Sequence, residues 1–138
     1  LILVIDDDPE HIRVIETTLR ETERIYEMVA IAQTTEILDF LHRRGGYATA
    51  PRPDLILLDL NLSNQQGFEI LQAIKADSHL HRIPTIVLTL SAEPEHIFRS
   101  YALQGNCYVI KSSDLGSLSQ IVKRIEEFWL GIVTLPVE

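Results

Sequence analysis

The sequence predicts an α/β fold, a doubly wound parallel sheet, and three observations carry that expectation. Four short apolar runs are rich in branched side chains: Leu1-Ile2-Leu3-Val4-Ile5, Leu55-Ile56-Leu57-Leu58, Thr85-Ile86-Val87-Leu88 and Cys107-Tyr108-Val109-Ile110. Continuous runs of this kind read as strands buried on both faces, as in a parallel sheet covered by helices. Stretches of helical periodicity alternate with the runs, as βαβ units with right-handed crossovers require. Each run also ends on groups capable of chemistry: Asp6-Asp7-Asp8, Asp59, Thr89 and Lys111. In an open parallel sheet, ligands bind outside the carboxyl ends of the strands.

The elements follow in order. A strand over about 1–5 leads to a helix over about 9–20, with Asp8 as N-cap, Pro9 at the first helical position and Ile12, Ile15 and Leu19 as its apolar stripe. A second strand, about 27–32, precedes a helix over about 35–43 that stops before Gly45-Gly46. A loop over 44–53 holds two Gly and two Pro, and the third strand covers 54–59. A helix from about Gly67 presents Phe68, Leu71 and Ile74. The strand over 85–89 is followed by a helix from about Glu93-Pro94 that presents Ile97, Phe98 and Tyr101. After a strand over 106–110, a last helix from about Asp114 places Leu118, Ile121, Val122, Ile125, Phe128 and Trp129 on one stripe. A short apolar tail begins at about 131, and the whole of 1–138 reads as one domain.

Composition limits the function. The chain has 138 residues and a formal charge of −8, without a basic stripe, so a nucleic-acid partner is not expected. Cys107 is the only cysteine, which excludes an intrachain disulfide and fits a reducing, cytoplasmic setting. No apolar stretch approaches the length of a membrane span, and no signal-peptide pattern is visible.

Taken singly, the strand-end residues have bland readings. Asp8 is a helix cap, a lone Asp59 would be a solvated turn residue, and a lone Lys111 would be a snorkelling surface cation. Together they differ. Several carboxylates at one sheet edge repel one another unless a cation lies between them, and oxygen donors at that density suit Mg²⁺. A carboxylate held there can attack phosphorus and form an acyl phosphate.

In order and spacing, the Asp pair after strand 1, Asp59 after strand 3, Thr89 after strand 4 and Lys111 after strand 5 resemble the response-regulator receiver domain. The likeness extends to Leu3-Val4-Ile5-Asp6-Asp7-Asp8-Pro9, to residues 53–60, to Ile83-Pro84 and to Tyr108-Val109-Ile110-Lys111. It implies a flavodoxin-like sheet in the order 2-1-3-4-5 with five helices. It also implies a signalling protein rather than an enzyme, with Asp59 as phosphoacceptor. Asp7, Asp59 and the backbone carbonyl of Asn61 would bind Mg²⁺ or Mn²⁺, with Asp6 acting through water. Lys111 and Thr89 would hold the phosphoryl group, and Tyr108 would be the switch aromatic. The donor would be a sensor histidine kinase. Within the family the chain is most similar to stand-alone regulators of cyanobacterial phytochromes, through Gly45-Gly46-Tyr47-Ala48, Lys111-Ser112, the stretch 125–130 and Thr134-Leu135-Pro136.

Four positions depart from the family pattern: Ser63, Gln66, Leu90 and Ser112. Leu90 stands where the family has a small residue and is expected to narrow the entrance to the site. With Ser112 in place of Pro, a cis bond there would cost about 3 kcal/mol. Two other classes of protein would use a similar edge differently. An aspartyl-nucleophile phosphatase would want an acid two residues after Asp59, where Asn61 stands. An interaction module indifferent to phosphorylation would not need Asp6, Asp7, Asp59, Thr89 and Lys111. No DNA-binding output domain is expected within these 138 residues, so output would pass through protein contacts. Tyr101, Phe128, Trp129 and the apolar tail are expected to form a homodimer contact through helix 4, strand 5 and helix 5.

Overall fold

A computed structural model describes residues 1–62 and 66–136. Ser63, one of the departures noted above, lies outside the described residues. The described residues form five parallel strands, β1 (Ile2–Ile5), β2 (Met28–Ile31), β3 (Leu55–Leu58), β4 (Thr85–Thr89) and β5 (Cys107–Ile110), in the order β2-β1-β3-β4-β5. Five α-helices alternate with them: α1 (Pro9–Arg20), α2 (Thr34–His42), α3 (Gly67–Ala76), α4 (Pro94–Ala102) and α5 (Leu115–Ile125). The expected fold class and strand order are therefore those observed. A 3₁₀ turn (Gly45–Tyr47) lies within the loop after α2.

The two-residue period of a strand explains why the apolar runs are continuous. Leu3, Ile5, Ile56, Leu58 and Val87 face one side, against Ile37 and Phe40 of α2 and Ile70, Leu71 and Ile74 of α3. Ile2, Val4, Leu55, Leu57, Ile86 and Leu88 face the other, against Ile15 and Leu19 of α1 and Leu118, Val122 and Ile125 of α5. Both faces of β1, β3 and β4 are thus closed. The edge strand β5 departs from the expectation: its residues are half-buried and Ile110 is exposed, because no strand lies beyond it.

The Asp8 side chain caps α1 as expected, accepting from the amides of Glu10 and His11. Gly67 opens α3 because a Cβ there would lie 2.5 Å from the backbone of Leu60. Any larger residue would push α3 away from the segment that follows Asp59.

The last helix and the tail need correction. The α-helix stops at Ile125, and Glu126–Leu130 continues as a π-helical turn. Glu126, the first residue of that turn, falls at a core position of the stripe and is buried. Its carboxylate accepts from Tyr26 Oη and Arg24 Nη1, both at 2.7 Å. Trp129 packs on its own domain's core, whereas Phe128 is 51 % exposed. The tail does not extend the face of α4. The amides of Ile132 and Val133 turn back to the Phe128 carbonyl, and Pro136 reaches Pro53 and Pro84 below the amino ends of β3 and β4. On α4 only Ser100 is fully buried; Phe98 is 75 % exposed and Tyr101 is exposed, so the helix buries less of its predicted stripe than expected.

Candidate functional site

Parallel strands bring their carboxyl ends to one edge, and the register aligns them: Ile5 lies opposite Leu58, Leu58 opposite Val87 and Thr89 opposite Ile110. Backbone bonds carry the ladder one residue further. The Asp59 amide donates to the Ile5 carbonyl at 2.9 Å, and the Lys111 amide donates to the Thr89 carbonyl at 2.8 Å. Asp59 and Lys111 are therefore tied to the neighbouring strands by the same kind of backbone bond as the strands themselves.

Lys111 joins three of these ends. Its ammonium is buried and lies 2.8 Å from Asp6 Oδ2 and 3.0 Å from Asp59 Oδ2. The other oxygen of each carboxylate accepts a backbone amide at 2.9 Å, from Asp8 to Asp6 Oδ1 and from Asn61 to Asp59 Oδ1. Burial pushes the Asp6 carboxyl above its ordinary value of 3.8, against the pull of the Lys111 ammonium and the Asp8 amide. Two buried carboxylates face one ammonium, and the half-buried Asp7 adjoins them. The edge therefore carries an excess of negative charge suited to a divalent cation.

The donors fit such an ion. Asp7, Asp59 and the carbonyl of the exposed Asn61 offer hard oxygen donors, the type that Mg²⁺ and Mn²⁺ prefer. Among the described residues, no group of three or more His, Cys, Asp or Glu side chains forms a complete cage. Mg²⁺ does not need one, since it keeps several waters and takes one or two carboxylates.

Thr89 Oγ1 is buried and has no hydrogen-bond partner among the described residues. Leaving a hydroxyl in that state costs about 1–3 kcal/mol, which an oxygen-rich group entering the site would recover. Tyr108 is half-buried, and its hydroxyl donates to the Ser91 carbonyl at 2.8 Å, two residues beyond Thr89. Its amide donates to Tyr101 Oη at 3.2 Å. Leu90 is 45 % exposed, so its side chain stands partly out of the fold beside Thr89. No cis peptide bond occurs among the described residues, Lys111-Ser112 included.

The fold thus brings together Asp6, Asp59 and Lys111, sets Asp7 and Thr89 at the same edge, and connects Tyr108 to the loop after Thr89. Tyr101, Phe128 and Trp129 lie elsewhere. The acceptor for Tyr108 escaped the sequence because a backbone carbonyl has no residue signature. The Arg24–Tyr26–Glu126 cluster had a signal, an acid standing in the apolar stripe of the last helix.

A sheet of this order with this carboxyl edge defines the class. The chain belongs to the family of the response regulator receiver domain, whose model matches residues 2–123. It is similar to response regulator Rcp1 of Synechocystis, 40 % identical over 99 % of this chain and 92 % of that protein. The crystal structure of the phosphorylated cyanobacterial phytochrome response regulator RcpA superposes with a TM-score of 0.95 at 46 % identity, covering 99 % of this chain and 97 % of that one. The Mn²⁺-bound form of Rcp1 gives a TM-score of 0.93 at 40 % identity, covering 99 % and 98 %. The chain is a response regulator, a signalling protein.

Proposed function

We propose that Asp59 is the phosphoacceptor of a two-component system, receiving its phosphoryl group from the phosphohistidine of a sensor histidine kinase. The carrying observation is the buried Lys111 ammonium 3.0 Å from Asp59 Oδ2. A carboxylate oxygen of Asp59 attacks phosphorus, the P–N bond to the kinase histidine breaks, and an acyl phosphate forms. Asp59 meets a group of like charge, so the approach requires positive charge already in place. Lys111 supplies part of it without moving far. A bound Mg²⁺ or Mn²⁺, held by Asp7, Asp59 and the Asn61 carbonyl with Asp6 acting through water, would supply the rest by screening the phosphoryl oxygens. Thr89 Oγ1 then donates to a phosphoryl oxygen. As Thr89 moves toward it, Tyr108 and the Ser91 carbonyl move with the same loop and carry the change to the surface of α4 and β5.

The similarity to RcpA and Rcp1 supports a phytochrome as the kinase. Exposed Phe98, Tyr101, Ile110 and Phe128 support a homodimer through α4, β5 and α5, with Trp129 contributing from its partly buried position. We read the chain as one receiver domain with a tail from about 131, acting in the cytoplasm on protein partners rather than nucleic acid or membrane. Among the described residues, no helix is long and apolar enough to cross a membrane.

Incubation with acetyl phosphate and Mg²⁺ tests the reading. Intact mass should rise by one phosphoryl group, Asp59→Asn should abolish the rise, and EDTA should prevent it. Full labelling of Asp59→Asn would overturn the assignment.

A further inference from the structure

His96 joins the loop that follows Thr89 to two helices. It stands in the first turn of α4, and its ring Nδ1 lies 2.7 Å from Ser91 Oγ. Ser91 Oγ accepts from the Glu93 amide at 3.3 Å, so its own hydrogen is left for the ring nitrogen. That arrangement suits a ring protonated at Nε2, which lies 3.7 Å from Glu93 Oε2. The Glu93 side chain makes no capping bond to α4, so the loop is tied to the first turn through Ser91 and His96. Phe68, in the first turn of α3 and packed against the core, fixes the ring as well. The two rings meet edge to face, with centroids 5.5 Å apart at 66°. The Arg99 guanidinium lies 4.3 Å from the same Phe68 centroid. A histidine serving only as a solvated helix residue would need none of these partners.

These contacts converge on the residue that holds the switch aromatic. The Ser91 carbonyl accepts from Tyr108 Oη at 2.8 Å. Ser91 is also two residues beyond Thr89, whose buried Oγ1 has no hydrogen-bond partner among the described residues. On the other side, Phe68 follows Gly67, which is closed against the backbone of Leu60, the residue after Asp59. His96 therefore connects the segment that follows Asp59 with the loop that follows Thr89. We propose that His96 is a positioning residue for phosphoryl transfer: its bond to Ser91 Oγ holds the loop so that the Ser91 carbonyl keeps the Tyr108 hydroxyl and Thr89 Oγ1 stays available to the phosphoryl group. His96 acts through Ser91 and not on the reacting atoms. Its effect on labelling rests on the reading of Asp59 as phosphoacceptor, whereas its hold on Tyr108 does not.

Tyrosine ring-carbon resonances of the full chain, recorded without metal or phosphoryl donor, test that hold directly. The Tyr108 signal is identified by its loss in Tyr108→Phe. His96→Phe keeps a ring for Phe68 but removes Nδ1, whereas His96→Asn removes the ring but sets an oxygen where Nδ1 stood. The Tyr108 signal should move toward that of a tyrosine free in water in His96→Phe and stay near the parent position in His96→Asn. Ser91→Ala removes the same bond from the loop side, independently of how α4 tolerates the changes at 96. It should move the signal as His96→Phe does, and the two together should add nothing. Labelling by acetyl phosphate with Mg²⁺ should slow about fivefold in His96→Phe, the worth of one hydrogen bond, and recover in His96→Asn. A residue that only packs would give the opposite order, with His96→Asn the more damaging. That order, an unmoved Tyr108 signal in His96→Phe, or additive effects of His96→Phe and Ser91→Ala would each overturn the proposal. A parent chain that fails to label would overturn the phosphoacceptor reading instead, and the Tyr108 signal would still decide the role of His96.

Discussion

Lys111 places its ammonium 3.0 Å from the Asp59 carboxylate although the two residues stand on strands that are not neighbours. β4 lies between them, so the pair bridges two strand spacings, roughly 9–10 Å. Each residue follows the last residue of its strand, and only there can both side chains turn over the intervening edge. An extended, flexible side chain is needed for this reach, and a buried ammonium is needed to offset two buried carboxylates.

Removing that cation should expose the cost of the arrangement. Lys111→Met leaves Asp6 and Asp59 buried without their counterion, and the protein without metal should lose about 3–5 kcal/mol of stability in urea unfolding. Mg²⁺ should then raise the melting temperature of the variant more than that of the parent chain, because the ion replaces a missing charge. A smaller metal-induced rise in the variant would show that Lys111 does not compensate these carboxylates.

Metal affinity should depend on Asp7 more than on Asp6. The Asp6 carboxylate is already engaged by Lys111 and the Asp8 amide. Calorimetry with Mn²⁺ should therefore show a larger loss for Asp7→Ala than for Asp6→Ala. Equal losses, or the reverse order, would count against the ligand assignment.

Leu90 should slow the arrival of small donors. It follows Thr89 directly and is partly exposed, so shortening it opens space without emptying the core. Leu90→Ala should label severalfold faster with acetyl phosphate while melting within about 1 kcal/mol of the parent. An unchanged rate would mean that this side chain points away from the donor's path.

The Tyr26–Glu126 bond should be visible in alkaline solution. Burial, and then the hydrogen bond to Glu126 and its charge, push the Tyr26 phenol from 10.0 up to about 12. A phenol that ionises later in the folded chain than in the unfolded one stabilises the fold below pH 10. That contribution is lost as pH rises from about 10 through about 12. Glu126→Gln should lower the Tyr26 value, read from the ring carbon shifts, and flatten this part of the stability profile. A Tyr26 titration that does not respond to Glu126→Gln would remove the carboxylate as a cause.

Assembly should depend on the exposed aromatics. Tyr101→Ala with Phe128→Ala should convert the expected dimer to monomers in light scattering at micromolar concentration. Trp129→Ala should cost stability in addition, because its ring packs on its own core. A parent chain already monomeric at that concentration would dispose of the dimer.

Much of this molecule could be read along the chain. The runs of β1, β3 and β4 named both the parallel sheet and its closed faces, because a strand covered on both sides admits no polar alternation. Asp59, Thr89 and Lys111 were marked by where their runs ended. The path of the tail was not legible, since Ile132, Val133 and Leu135 would satisfy a dimer contact or a fold-back equally well by hydropathy. The exposure of Tyr101 and Phe98 was not legible either, because how deeply α4 sits depends on β5 being an edge.

By itself the sequence determined the alternation of elements, the carboxyl edge and the chemical types of its residues, all of which follow from local periodicity and from the ends of apolar runs. Only the tertiary structure decided that Lys111 pairs with Asp6 and Asp59 at once, that the Tyr108 hydroxyl is held by the Ser91 carbonyl, and that His96 meets both Ser91 and Phe68. The reason is physical. Each of these depends on the lateral order and register of strands far apart in the chain. That order is set by how both faces of the whole sheet are covered, which no single run of residues encodes.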